Sequence, residues 1–258
     1  MHNYDPNIVA GQIIRILSAL LIWVLIVALS YYGLHSIFVK VSLNAITHTF
    51  VLGFYTALRV SILTFVSMLI WVPIGVWIGL RPRATQIVQP IAQFFAAFPI
   101  NLIFPFAVYA IVHYKLNINI WCSPLMIMGT QWYILFNVIA GASAIPKQYH
   151  IAVGAFKVKK SLWWRKFMLP AIAPYLITGA ITAAGGAWNI SIIAESLSWG
   201  NKTLYAKGLG AYITETAVRG DYIHLSLGII TMCVYVVVIN RLFWQPLYNK
   251  VSERYQIT

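Results

Sequence analysis

The chain has 258 residues, of which 60% are hydrophobic and 9% charged, with 18 Lys and Arg against five Asp and Glu. A soluble domain carries about 25% charged residues, so most of the surface of this protein must face lipid. The basic residues gather at the ends of apolar runs, where anionic lipid and the positive-inside bias hold them, which excludes nucleic acid and makes membrane lipid the expected contact.

Crossing the hydrocarbon takes about 20 apolar residues as a helix. Six stretches free of Asp, Glu, Lys and Arg qualify, at 16–39, 60–80, 84–114, 116–146, 167–194 and 222–240. They predict an all-α membrane protein with about six transmembrane helices, at roughly 14–34, 58–80, 86–113, 121–144, 168–194 and 222–243. Together they form a single transmembrane domain over 1–258. Barrel strands would be about ten residues long and strictly alternating, unlike these runs. The segment before the first run is polar and has no basic n-region, so that run reads as a span rather than a secretory signal. The third run carries Pro90, Pro99 and Pro105; proline frees a backbone carbonyl and bends a membrane helix, so this run is expected to kink or break.

Charge sets the orientation. If the loop 147–166 is cytoplasmic, six spans put both termini on the same side. Twelve of the 18 Lys and Arg then lie on that side and six on the other. The bias supports a multi-pass protein of a bacterial-type inner membrane with cytoplasmic N- and C-termini.

Nothing along the chain has the pattern of an active site. No Gly-rich loop ends in Lys-Ser or Lys-Thr to cradle a phosphate, and no His pair stands at metal spacing. Cys122 and Cys233 lie singly in apolar runs, where small buried hydrophobes are the common case. The chain is therefore not expected to be an enzyme, nor to hold a metal or cofactor of its own.

The loop 147–166 is too polar to span. It mixes Lys147, Lys157, Lys159, Lys160, Arg165 and Lys166 with Ile151, Phe156, Trp163 and Trp164. Two readings stand: an amphipathic helix on anionic lipid, or a helix presented to a cytoplasmic partner. The frame Gly154-Ala155 … Leu169-Pro170 resembles the signature loop of importer-type ABC transporter permeases. That pattern begins Glu-Ala-Ala, continues to Gly and ends in Leu-Pro. Here Gln148, Tyr149 and His150 stand in place of Glu-Ala-Ala, and the interval from Gly154 to Pro170 is about two residues longer.

A second stretch, from Pro174 through Gly179, Ala183, Gly186, Trp188, Asn189 and Ser191 to Glu195, is similar to the nitrate, sulfonate, taurine and bicarbonate branch of those permeases. Thr56-Ala57-Leu58-Arg59-Val60 and Gly208-Leu209-Gly210-Ala211-Tyr212-Ile213 agree with it. The resemblance implies a type I importer permease fold with a cytoplasmic coupling helix. It makes Gln148, Gly154, Ala155, Phe156, Leu169 and Pro170 candidates for coupling to an ATPase. It makes Gly179, Ala183, Gly186, Trp188, Asn189, Ser191 and Glu195 candidates for the pathway or dimer interface.

The partners implied are two ABC ATPase subunits carrying ATP and Mg, a second permease copy or paralogue, and an external substrate-binding protein. The implied cargo is a small anion such as nitrate, a sulfonate or taurine, or bicarbonate. A self-sufficient channel or secondary transporter is the alternative. Small residues in the fifth run also allow plain packing within the chain, and Glu195 reads either as a functional acid or as a cap at the outer interface.

Overall fold

A computed structural model describes residues 23–24, 41–200 and 202–255. The expected first span, 14–34, lies almost wholly outside the described residues.

The first long helix, α1 (Leu43–Gly79), starts where Ser42 accepts a hydrogen bond from the Ala45 N–H at 3.3 Å. Two of its buried hydroxyls bond back to the preceding turn, Thr49 to Ala45 O at 2.7 Å and Thr64 to Val60 O at 2.8 Å, which satisfies them in an apolar environment, whereas the buried Ser67 hydroxyl makes no hydrogen bond to another described residue. At 1.5 Å per residue a 37-residue helix is roughly 55 Å long, against about 30 Å of hydrocarbon. The span expected at 58–80 is therefore only the second part of this helix, which begins well before the apolar run does. It stops at Gly79, and two residues on Arg81 is extended before Pro82, as a residue preceding proline prefers.

The third run breaks as its prolines predict. Helix α2 (Pro82–Ala97) ends before Phe98-Pro99, and a 3-10 turn (Ile100–Ile103) leads into α3 (Phe104–His113), bent by 72° from α2. The fourth run is also divided, into α4 (Ile118–Met128) and α5 (Gln131–Ala144), bent by 40° at Gly129-Thr130. The expected spans 86–113 and 121–144 each correspond to such a pair.

Ile145-Pro146 closes α5, and α6 (Lys147–Ala155) follows inside the basic loop. After a turn with Lys157 at φ +47°, a short helical entry (Lys160–Leu162) and a π-helical stretch (Trp163–Met168) run straight into α7 (Leu169–Ala194). The one departure from an all-α chain among the described residues is a small antiparallel hairpin, β1 (Ser196–Trp199) with β2 (Lys202–Tyr205). Then come α8 (Leu209–Val218), α9 (Tyr222–Ile239), a π turn (Asn240–Trp244) and α10 (Gln245–Tyr255). Asp221 caps α9 by accepting from the His224 N–H, a bond that holds its carboxyl below the ordinary carboxylate range.

The core forms where α5 lies between α1 and α7. Val72, Val76, Ile134, Val138, Ala142, Ile172 and Ala183 are buried there together. The helices come close because glycines face neighbouring atoms. A side-chain carbon on Gly75 would stand 2.8 Å from Val138, one on Gly79 2.7 Å from the Ile139 carbonyl, and one on Gly179 2.9 Å from the Tyr133 carbonyl. Phe54, Phe65, Leu69 and Trp77 point outward on α1, each more than half exposed. That inversion of a soluble surface suits lipid contact.

Candidate functional site

The first site begins with a carboxylate that water cannot reach. Glu195 is the C-cap of α7 and is 0% exposed. An isolated buried charge is costly unless paired and hydrogen-bonded, and here every neighbour serves that end. Arg59 Nη1 of α1 forms an ion pair with Oε1. The Thr56 hydroxyl, one turn earlier, donates to Oε1 at 2.9 Å. The Gly210 N–H, in the first turn of α8, donates to Oε2 at 2.8 Å; a helix N-terminus favours an anion.

The network extends outward from this centre. The Leu209 N–H donates to the Thr56 hydroxyl at 2.8 Å. Arg59 Nη2 reaches the Asn119 and Lys207 carbonyls at 3.3 and 3.4 Å, and the Lys207 N–H donates to Asn119 Oδ1 at 2.6 Å. Four chain segments, α1, α4, the end of α7 and residues 207–210, thereby meet around one carboxylate. Arg59 and Thr56 were legible only as part of a motif; the signal for the pair was one base and one acid, each alone beside a long uncharged run.

Gly208 sits against this carboxyl group with no room for a side-chain carbon. Gly208→Ala is expected to destabilise the Glu195 end of the protein by about 1–3 kcal/mol, the usual cost of overpacking. Limited proteolysis around 200–208 measures it; an unaltered cleavage rate would refute the fit.

The pathway and interface candidates on α7 divide by face. Gly179, Ala183, Trp188, Ser191 and Glu195 are buried. Gly179 and Gly186 approach α5 and Thr130 within this chain, Trp188 lies 6.2 Å from the Tyr235 ring, and Ser191 Oγ donates to the Trp188 carbonyl at 2.6 Å. The close approach of these small residues is thus made to the chain's own helices, because α5 occupies that face. Asn189 stands on the opposite face, exposed together with Thr178, Thr182 and Gly185 at helical spacing.

The second site is at the other end of the molecule. On and after α6, Gln148, Gly154, Ala155 and Phe156 are all exposed, Phe156 at 82% and Ile151 at 72%. Among the described residues, nothing beyond its own helix lies within 4 Å of where a side chain on Gly154 would start. Leu169 is 37% exposed and Pro170 half-buried at the entry to α7. The π-helical stretch between them anchors through Met168, which is fully buried, and stacks Trp163, Trp164 and Phe167 edge-on or tilted. A short helix with an apolar tip is therefore held out from the bundle on a continuous helical stem. Among the described residues no His, Cys, Asp or Glu cluster has metal-binding proportions.

Comparison with known proteins places this architecture. Residues 71–243 match the family described as binding-protein-dependent transport system inner membrane component. The bicarbonate transport system permease protein CmpB of Synechococcus elongatus is 28% identical over 159 residues, 61% of this chain and 53% of that protein. The nitrate import permease protein NrtB of Leptolyngbya laminosa is 25% identical over 185 residues, 71% of this chain and 62% of its own length. The chain thus spans little more than half the length of these relatives. An inward-facing form of the MetNI methionine ABC transporter superposes with a TM-score of 0.60 at 19% identity, over 77% of this chain and 93% of that one, a likeness of fold. With two thirds of its length inside the family match, this chain belongs to the binding-protein-dependent transport system inner membrane components.

Proposed function

We propose that this chain is the transmembrane permease subunit of an ATP-driven importer for a small anion, of the class of nitrate, a sulfonate or bicarbonate. The carrying observation is the exposed helix α6 with its apolar tip at Phe156, in a chain of this family. Two ATPase subunits, holding ATP and Mg, dock on the two copies of that helix. A second permease, identical or related, completes the pathway, and an external binding protein delivers the anion at the Glu195 end.

Closure of the ATPases moves α6. The stem from Lys160 into α7 is helical throughout, so the movement is carried into the membrane as a lever and biases a two-state bundle. Asn189, Thr178 and Thr182 on the open face of α7 supply neutral hydrogen-bonding groups suited to an anion in transit. Gln148, Gly154, Ala155, Phe156, Leu169 and Pro170 transmit the stroke. In this reading the inner membrane holds the complex with both termini in the cytoplasm.

The test is reconstitution of the chain in sealed vesicles with its cognate ATPase and binding protein. ATP-dependent uptake of a labelled nitrate, sulfonate or bicarbonate, lost when the ATPase is omitted, is the expected result. Gradient-driven uptake by the chain alone would overturn the reading in favour of a channel or secondary transporter.

A further inference from the structure

Between α1 and α4 lies an open cavity of about 790 Å³. Its mouth is polar and basic, formed by Tyr55, Arg59, Asn119 and Lys207, and its walls are mainly aliphatic, with Ile62, Val66 and Ile70 on one side and Ile120 and Ile127 on the other, interrupted by Ser67, Ser123 and Gln131. Counting one crossing back from the end of α1 puts the mouth at a headgroup level. Gly79 ends α1 beside Arg81 and Arg83, and Arg59 lies about twenty residues back, the length of one crossing. From Arg59 the groove descends to Ile70, a fall of roughly 17 Å along the helix. Tyr55 stands at the mouth, where aromatic residues settle at an interface.

The charges at the mouth are unequal. Arg59 is engaged by Glu195, but Lys207 has no ion pair among the described residues and its side chain is exposed. Its backbone is nevertheless fixed over Asn119 by the 2.6 Å bond. The mouth therefore keeps one uncompensated positive charge at headgroup level, above an apolar channel open to the side.

We propose that this groove holds a phospholipid of anionic headgroup from the leaflet opposite α6, with its phosphate at Lys207 and an acyl chain along Ile62 and Val66. The inference rests on membrane insertion, which family membership carries, and not on the transport reading. A basic residue near an anionic surface favours binding about fivefold. The apolar walls alone would accept any lipid; the Lys207 ammonium gives the preference for net negative charge.

The whole chain, purified in detergent and offered equal phosphatidylglycerol and phosphatidylcholine, is examined by native mass spectrometry. One retained phosphatidylglycerol, in preference to phosphatidylcholine, is expected. Lys207→Gln should lower that preference about fivefold. Ile62→Trp, which fills the groove at an exposed position, should abolish retention of both lipids. Equal retention of the two lipids by the unaltered chain, or unchanged retention in both variants, would overturn the proposal. A photoreactive amino acid at Ile62 identifies the occupant directly: a lipid adduct supports the proposal, and an adduct to residues 16–39 or to a second copy of the chain refutes it.

Discussion

Arg59→Met is expected to cost about 3–5 kcal/mol of stability, the penalty for stranding one member of a buried ion pair. The residue it leaves behind, Glu195, is 0% exposed and has no route to water. The loss exceeds what any surface pair in this chain can show. Arg219–Glu215, for instance, joins side chains 70% and 37% exposed, and such pairs contribute little.

The paired substitution Arg59→Met with Glu195→Leu removes both charges and should recover much of the loss, since exchanging a buried pair for apolar groups is often neutral. Thermal inactivation in detergent at low and high salt measures both. The single variant should be as unstable in high salt as in low, because buried charges are weakly screened. A single variant within about 0.5 kcal/mol of the unaltered chain, or a double variant no better than the single, would show that the pair does not hold these segments together.

Gly154→Trp is expected to reduce ATP-driven uptake at least tenfold while the chain still inserts and folds. The structure separates these outcomes, because a side chain at Gly154 meets nothing within 4 Å among the described residues beyond its own helix. A loss of uptake with insertion and folding intact then points to a partner surface. Phe156→Ala, which removes the most exposed aromatic group of the loop, should weaken ATPase binding by about thirtyfold if it is an anchor of the kind that dominates interfaces. Pull-down of the ATPase by each variant, beside vesicle uptake, distinguishes loss of docking from loss of stroke. Undiminished uptake by Gly154→Trp would remove α6 from the coupling path.

Much of this protein was legible without coordinates. Lipid exposure followed from composition, because so few charges cannot cover a folded surface with water-binding groups. The break at Phe98-Pro99 followed from proline chemistry, and the interrupted basic loop from its Lys and Arg content. The hairpin Ser196–Tyr205 was not legible: its strands are four residues long, too short for alternation to register. The length of α1 was missed for a related reason. The charge of Arg59 ends the charge-free run but not the helix, because the guanidinium is paired with Glu195 in the fold and the backbone bonds continue through it.

The candidate sites show the same division. The sequence by itself determined that this is a membrane protein built from long charge-free runs, with a basic segment outside them and one acid at the end of a small-residue helix. Those properties depend on residue type and local order, which hydropathy and charge report directly. Only the tertiary structure decided that Thr56, Arg59, Glu195 and Gly210, up to 154 positions apart in a chain of 258, meet at one carboxylate. It also decided that Gly179 and Gly186 spend their small size on α5. The physical reason is that a pairing between distant residues depends on how helices cross, and crossing is set by packing and by the burial of charge, neither of which is written in a local stretch of sequence.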